Sequence, residues 1–175
     1  ATHAGAIATH RGCALVGGCD KDPERRAAFA RRWRCSQVFE DLDELLHAAR
    51  PQILHVATPP ETHAGIVGTA ADAGIPVVVC EKPLAADLDE ARLIVSRVAA
   101  GRCRVLVNHE RRYSRDYIRV RDLIREQRYG PLFSISGMLT IGRTRSPFEM
   151  LLHDGTHMVD IIPFLTGQPL RFRHV

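Results

Sequence analysis

The stretch QILHVATPPETHAGIVGTAADAGIPVVVCEKP, residues 52–83, decides the fold. It begins with an apolar, strand-like run that stops at Pro59-Pro60, continues with a helical pattern over 61–73, and ends with a second apolar run after Gly74. Two buried strands joined by a helix are the unit of a parallel sheet, because a parallel crossover needs a dozen or more residues. Both strands are almost wholly apolar, which is typical of a sheet covered by helices on both faces.

The same alternation extends in both directions from this stretch. The predicted helices and strands on either side are a helix at 1–11 closed by Gly12, a strand at 13–19, a helix at 22–33 opened by Asp22 and Pro23, an extended piece at 36–39, and helices at 41–49 and 87–100 before a strand at 104–108. This order predicts an α/β fold, with a Rossmann-type doubly wound parallel sheet over residues 1–109. Such a domain usually begins with a strand and a glycine-rich turn, so we expect the first strand to be missing from this sequence.

The pattern changes after Asn108. An amphipathic helix is predicted at 114–128, and LFSISGMLTIG at 132–142 is the first segment with clear strand alternation. A helix containing HDGTH follows and ends near Gly167. Alternation of this kind is typical of a half-exposed antiparallel sheet. Residues 110–175 are therefore predicted to begin an α+β domain with a mostly antiparallel sheet.

The composition excludes several classes of protein. The 175 residues are 45% hydrophobic and 25% charged, which is typical of a globular protein rather than a disordered or fibrous one. The longest apolar runs are far shorter than the ~20 residues of a membrane helix, and no signal segment is visible. Five cysteines without CxxC spacing indicate buried thiols in a reducing compartment, which favours the cytoplasm.

The basic residues give a net charge of +4 and are almost all arginines. The clusters at 25–34 and 111–128 carry apolar residues at helical spacing, which indicates solvated helix faces rather than a nucleic-acid surface. Lys21 and Lys82 are the only lysines, so a lysine at a candidate functional position is more noticeable.

Polar residues follow three of the predicted strands, where ligands of open α/β sheets bind. Asp20 ends the strand at 13–19, where a carboxylate accepts ribose hydroxyls and repels a 2′-phosphate, although a helix cap is the alternative. Thr58-Pro59 and Glu81-Lys82 end the next two long strands. A surface ion pair is the alternative for Glu81-Lys82, but the pair directly follows a buried run, which favours a desolvated lysine with a partner.

The decapeptide LLHDGTHMVD, residues 151–160, places His153 and His157 four residues apart. On a helix both imidazoles lie on one face, as a zinc-protease helix or metal-free proton transfer requires. The zinc interpretation is poor, because it needs Glu rather than Asp154 for reach and a third ligand from a downstream helix. We therefore expect no metal.

These motifs together resemble one family. They are Asp20, ATPPETH at 57–63, CEKPLA at 80–85, NHERRY at 108–113 and DGTHMVD at 154–160. The chain resembles the glucose-fructose oxidoreductase, inositol dehydrogenase and rhizopine-catabolism (Gfo/Idh/MocA) oxidoreductase family from Ala1 to about Gly167. The resemblance implies an NAD(P)-dependent enzyme that transfers hydride between nicotinamide and a hydroxyl or keto carbon of a sugar, cyclitol or sugar derivative.

The resemblance also implies roles for individual residues. Lys82 matches the lysine that touches substrate and cofactor, and His157 matches the histidine that transfers the proton. The implied substrate-binding residues are Asn108, Arg111, His153 and Asp160. The implied cofactor-binding residues are Asp20, Thr58, Pro59, His63, Glu81 and Lys82.

NAD is the expected cofactor because of Asp20, and NADP is left open. The implied partners are a small sugar-like substrate and further copies of the chain, with no nucleic acid or membrane. The sequence departs from the family at His153, where an Asp is common four residues before the histidine. The alternative function is therefore a non-catalytic nucleotide-binding or regulatory protein on the same scaffold.

Overall fold

The computed structural model describes residues 2–100, 103–138 and 146–171. The chain divides into two compact units, Ala1–Leu106 and Val107–Val175. The predicted boundary lies slightly later, after residue 109. The difference arises because the last strand, Arg104–Asn108, contributes residues to both units.

Unit 1 alternates helices and strands. In chain order they are α1 (His3–Thr9), β1 (Gly18–Cys19), α2 (Pro23–Trp33), β2 (Val38–Phe39), α3 (Leu42–Ala49), β3 (Ile53–Val56), α4 (His63–Asp72), β4 (Val77–Glu81), α5 (Leu88–Ala100) and β5 (Arg104–Asn108), with a 3₁₀ turn at Pro60–Thr62 before α4. β1 pairs with β2 and β3 with β4, both in parallel, and β5 lies beyond β4. The register places Ile53 opposite Val77 and Val56 opposite Cys80. This parallel pairing is the predicted α/β arrangement.

Two helices of unit 1 begin where their aspartates predict. The Asp22 carboxylate accepts hydrogen bonds from the backbone N–H groups of Glu24 and Arg25, and Pro23 occupies the first helical position. Asp41 caps α3 in the same way. Each cap stabilises its helix by about 1 kcal/mol because it pairs donors that otherwise have no partner in the first turn.

The first predicted helix and strand are shorter than expected. α1 ends at Thr9 and is closed by His10 rather than Gly12, and β1 covers only the last two residues of the predicted strand at 13–19.

In the described part of unit 1, the β1–β2 pair and the β3–β4–β5 sheet are separate. A cavity of about 630 Å³, lined by α1, residues 14–20 and β3 among others, lies between them. Most of the predicted strand therefore borders this cavity without a pairing neighbour.

The core of unit 1 lies on the sheet formed by β3 and β4. Its deeply buried side chains include Val56, Val67, Val78, Cys80 and Ile94. They come from β3, α4, β4 and α5, so helix and strand contribute alternately. Full burial of each aliphatic side chain contributes about 1.5–3 kcal/mol, which makes this cluster the main stabilising feature of the unit.

Cysteine reactivity is expected to follow burial. Burial, aided by the charge of Glu81, raises the pKa of the Cys80 thiol to about 12, whereas Cys13 is exposed. Because the thiolate is the nucleophile, Cys13 should be alkylated at least ~100-fold faster than Cys80 at about pH 8. Timed iodoacetamide labelling with peptide mass spectrometry measures both rates, and the urea-unfolded chain provides the control. Equal rates in the native protein would contradict the buried position of Cys80.

Unit 2 contains α6 (Arg115–Arg125), α7 (Pro147–Met150) and α8 (Thr156–Thr166), with a 3₁₀ turn at Glu110–Tyr113 and a π-helical turn at Leu151–Gly155. α6 packs on α8, and Gly167 ends α8 with the left-handed backbone that the sequence predicts.

Two predictions for unit 2 differ from the structure. The segment HDGTH was predicted to continue one α-helix, but a π turn separates α7 from α8. The predicted strand at 132–142 forms no strand over 132–138, and the remainder lies outside the described residues. An alternating segment becomes a strand only where another strand supplies its hydrogen bonds. Across the described ranges, no helix has the length and hydropathy that spanning a membrane requires.

Candidate functional site

The loops that follow β3 and β4 are tied together by one buried histidine. His63, the first residue of α4, is 0% exposed. Its Nε2 lies 2.9 Å from the carbonyl oxygen of Thr58, and its Nδ1 lies 3.1 Å from that of Pro83. The sequence predicted His63 as a direct cofactor contact. As placed, its side chain lies within the protein and holds the Thr58 and Pro83 loops in position.

The Thr58 loop is also held locally. The Thr62 hydroxyl lies 2.6 Å from Thr58 Oγ1 and 2.7 Å from the carbonyl oxygen of Pro59. These contacts fix the backbone at Thr58 and Pro59, two of the residues predicted to bind the cofactor.

Glu81 belongs to a cluster that the sequence did not predict. Its Oε1 lies 2.8 Å from Nε2 of His3, while its Oε2 accepts a hydrogen bond from the backbone N–H of Lys82. Nδ1 of the same His3 lies 2.8 Å from Nδ1 of His55. The cluster connects α1 to β3 and β4, so these side chains come from three separate parts of the chain. Only tertiary structure brings them together, and no local spacing signals it.

The His55 imidazole gives unit 1 a pH-dependent stability. Burial, and to a smaller extent the nearby His3, lowers the pKa of His55 below its usual 6.5. As the pH falls below that value, the unfolded chain binds a proton at His55 and the folded chain does not, so the free energy of unfolding falls. His55→Asn is expected to flatten this dependence between about pH 7.5 and 5.5, as measured by urea unfolding. His47→Asn, at an exposed position of α3, should keep the wild-type slope, and an unchanged slope in His55→Asn would contradict the expectation.

Asp20 lies at the end of β1 with its backbone and side chain both fixed. Its N–H donates to the carbonyl oxygen of Phe39 at 3.2 Å, and its Oδ1 accepts from the N–H of Asp22 at 2.9 Å. The residue therefore presents its carboxylate at the carboxyl end of the strand, as the sequence predicted.

A smaller cavity of about 220 Å³ adjoins Asp20. It is lined by Gly18, Cys19, Asp20, Arg25, Arg26, Phe29 and Val38. A Cβ atom at Gly18 would lie 2.6 Å from the Phe29 ring, so the ring packs directly on the main chain there. Gly18 is required because no side chain fits between the strand and Phe29.

Arg26 of α2 clamps the turn that carries Asp20. Its Nη1 donates to the carbonyl oxygens of Asp20 at 2.7 Å and Lys21 at 2.9 Å, and its Nη2 donates to Glu40 at 3.1 Å. The spacing of apolar residues in the cluster at 25–34 predicted a solvated helix face for this arginine. Its side chain is only 19% exposed, so that interpretation was wrong for Arg26.

His157 and Asp160 lie on α8 in unit 2. The Nδ1 of His157 lies 3.9 Å from Oε1 of Glu110, for which the sequence predicted no role. Nε and Nη2 of Arg112 lie 2.6–2.9 Å from the two carboxylate oxygens of Asp160. Hydrogen bonding to this carboxylate raises the pKa of Arg112. Asp160 is thus engaged by Arg112, whereas Glu110 is the carboxylate next to His157.

The other predicted substrate residues lie in separate elements of unit 2. Asn108 ends β5, Arg111 is in the 3₁₀ turn and His153 is in the π turn, and all three side chains are partly buried. π turns occur frequently at functional sites. Contact of Asn108, Arg111 and His153 with a substrate stays a prediction. Within the described residues, no group of three or more His, Cys, Asp or Glu side chains could hold a metal ion.

Comparison with known proteins agrees with this architecture. The family model described as "Oxidoreductase family, NAD-binding Rossmann fold" matches residues 1–109, more than half of the chain. The chain belongs to the Gfo/Idh/MocA oxidoreductase family. Membership confirms the predicted family and the Rossmann fold.

Individual relatives of this Gfo/Idh/MocA chain include inositol 2-dehydrogenases. It is 32% identical to inositol 2-dehydrogenase of Pseudarthrobacter chlorophenolicus, over 91% of this chain and 48% of the relative. Among solved structures, an oxidoreductase of Desulfitobacterium hafniense described as NADPH-dependent has 22% identity and a TM-score of 0.83 over 94% of this chain and 51% of that one. An Agrobacterium radiobacter oxidoreductase in complex with NAD⁺, L-tartaric acid and magnesium has 21% identity and a TM-score of 0.79 over 93% of this chain and 50% of that one. The chain thus spans about half the length of these relatives.

Proposed function

We propose that the protein is an NAD-dependent dehydrogenase that transfers hydride between nicotinamide and the carbinol or keto carbon of a cyclitol, sugar or sugar derivative. The observation that carries the proposal is that Asp20, Thr58 and Glu81 lie at the carboxyl ends of β1, β3 and β4, three strands of unit 1. Ligands of this fold bind at the carboxyl ends of the parallel strands. Family membership and the inositol 2-dehydrogenase relative support the reaction class.

The residues of unit 1 fit a dinucleotide. Asp20 would accept the ribose hydroxyls, and the Thr58, Pro59 and Glu81–Lys82 backbone would border the remainder of the cofactor. When bound, nicotinamide supplies the acceptor for the hydride that leaves the carbinol carbon with its electron pair. NADP remains the less favoured cofactor because a carboxylate at Asp20 repels a 2′-phosphate.

Lys82 and His157 are the proposed catalytic residues. Lys82 would hold the reacting hydroxyl and polarise its oxygen, while the neutral imidazole of His157 accepts the hydroxyl proton as the hydride departs. Glu110, 3.9 Å from the His157 ring, would stabilise the resulting imidazolium. Asn108, Arg111, His153 and Asp160 are the proposed residues for orienting the substrate.

The cellular context is part of the proposal. All five cysteines are free, which supports a reducing compartment such as the cytoplasm. Homo-oligomerisation through unit 2 is proposed from the family resemblance, with a small sugar-like molecule as the substrate.

Fluorescence titration of the full-length protein with NADH and NADPH, followed by an NAD⁺-reduction screen of cyclitols, sugars and uronates, tests the function. We expect NADH binding and turnover of at least one compound class. Binding of neither cofactor would contradict the oxidoreductase proposal. NADH binding without turnover of any compound would favour a regulatory protein, for which His153 at the family's aspartate position is the supporting observation.

A further inference from the structure

The turn that presents Asp20 is held by a side chain from outside the strand. Residues 20–22 form a turn in which Asp20 Oδ1 accepts from the N–H of Asp22. The carbonyl groups of Asp20 and Lys21 both point at one guanidinium nitrogen of Arg26, at 2.7 and 2.9 Å. Because a guanidinium presents its donors in a rigid fork, these bonds fix the direction of the turn as well as its distance from α2.

The charge of Arg26 is balanced within the same group of residues. Its second terminal nitrogen donates to Glu40 at 3.1 Å, so three hydrogen bonds engage its two terminal nitrogens. Arg25, the other arginine that lines the cavity of about 220 Å³, lies 3.5 Å from the carboxylate of Asp22. A positive charge beside the Asp20 carboxylate, which would bind the ribose hydroxyls, would ordinarily attract a 2′-phosphate. Here each guanidinium faces a carboxylate, so the cavity does not present an uncompensated cation at either arginine.

We propose that Arg26, paired with Glu40, is a positioning residue for Asp20 and determines the choice of NAD over NADP. The inference rests on the proposed function and extends it. Arg26 holds the turn so that the Asp20 carboxylate meets the ribose hydroxyls, while Glu40 keeps the guanidinium from binding a 2′-phosphate. Neither Arg26 nor Glu40 needs to touch the cofactor for this effect.

Dissociation constants of NADH and NADPH for five variants of the full-length protein test the assignment. Arg26→Ala is expected to weaken NADH binding ~10-fold and leave NADPH binding nearly unchanged, because a positioned carboxylate favours only the unphosphorylated ribose. Arg26→Lys should be intermediate, since a single ammonium does not reproduce the fork. Arg31→Ala, which removes an exposed arginine of the same helix, is the control and should bind both cofactors as the wild type does.

Glu40→Gln separates positioning from general structural support. Removing this carboxylate leaves Arg26 bonded to the two carbonyl groups with its charge no longer balanced, so NADPH should bind several-fold more tightly. If Glu40 acts through Arg26, this gain disappears in the Arg26→Ala/Glu40→Gln double variant. A role confined to stability would change the melting temperature and would not produce such coupling.

Several results would overturn the inference. They are equal losses of NADH and NADPH affinity in Arg26→Ala, unchanged NADH affinity in that variant, or a Glu40→Gln gain that persists without Arg26. Wild-type preference for NADPH would overturn it and leave the dehydrogenase proposal intact. Binding of neither cofactor would end both, so the two failures are distinguishable.

Discussion

Replacing His157 with Asn is expected to lower kcat ~10³-fold while leaving NADH affinity within about twofold of the wild type. The expected loss has the size of general-base contributions, which are typically 10²–10⁴-fold. Asn keeps a polar group of similar size but cannot accept the hydroxyl proton at neutral pH. Because the proposed ribose contacts do not include His157, cofactor binding should be spared. Steady-state rates and NADH titration on the same preparation measure both effects.

Two further variants make this result interpretable. His47→Asn alters an exposed histidine on α3 and should keep the wild-type kcat. Glu110→Gln should lower kcat several-fold, because the carboxylate beside the ring stabilises the imidazolium that forms when His157 accepts the proton. A His157→Asn protein that retains more than a tenth of the wild-type kcat would remove this residue from the role of general base.

His63→Ala is expected to reduce the free energy of unfolding by about 2–4 kcal/mol and to weaken NADH binding ~10-fold. The side chain is fully buried, and its removal leaves a void and takes away the imidazole N–H that faces the carbonyl oxygens of Thr58 and Pro83. Both of those residues lie in loops that the proposed cofactor would border. Urea unfolding and NADH titration give the two quantities.

The exposed His47→Ala is the matched control for this substitution and should change the unfolding free energy by less than about 0.5 kcal/mol. Wild-type NADH affinity in a destabilised His63→Ala protein would mean that the two loops keep their positions without this histidine. Equal stability of the two variants would contradict the buried hydrogen bonds.

Local sequence rules predict most of unit 1. The helices opened by Asp22 and Asp41, the strands around Ile53 and Val78, and the polar residues at the strand ends all follow from patterns within a few residues of each other. These features are predictable because capping and burial alternation act over one or two turns of chain.

The partners of the site residues could not be predicted in this way. His3 meets Glu81, Arg26 meets Glu40, and each pair joins residues far apart in sequence. An arginine on an amphipathic helix carries no local sign of whether it faces water or a neighbouring turn. The pairing depends on how α1 and α2 pack, which is a tertiary property.

The relative positions of His153 and His157 in unit 2 could not be predicted for another reason. An α-helical repeat over residues 151–157 would place His153 directly beside His157. The π turn at Leu151–Gly155 has hydrogen bonds between residues five apart instead of four, so angular positions taken from an α-helix do not apply across it. Among helical turns, π turns are rare enough that the sequence pattern favours an α-helix by default.

Gly18 limits how this protein can evolve. Since the Phe29 ring lies against its main chain, even one added methyl group would displace the ring and reshape the small cavity beside Asp20. Cys19 and Val38 border the same cavity with side chains that can be exchanged for others of similar volume. Mutational drift can therefore alter the cavity wall more readily at those two positions than at Gly18, where any added side chain requires the Phe29 ring to move.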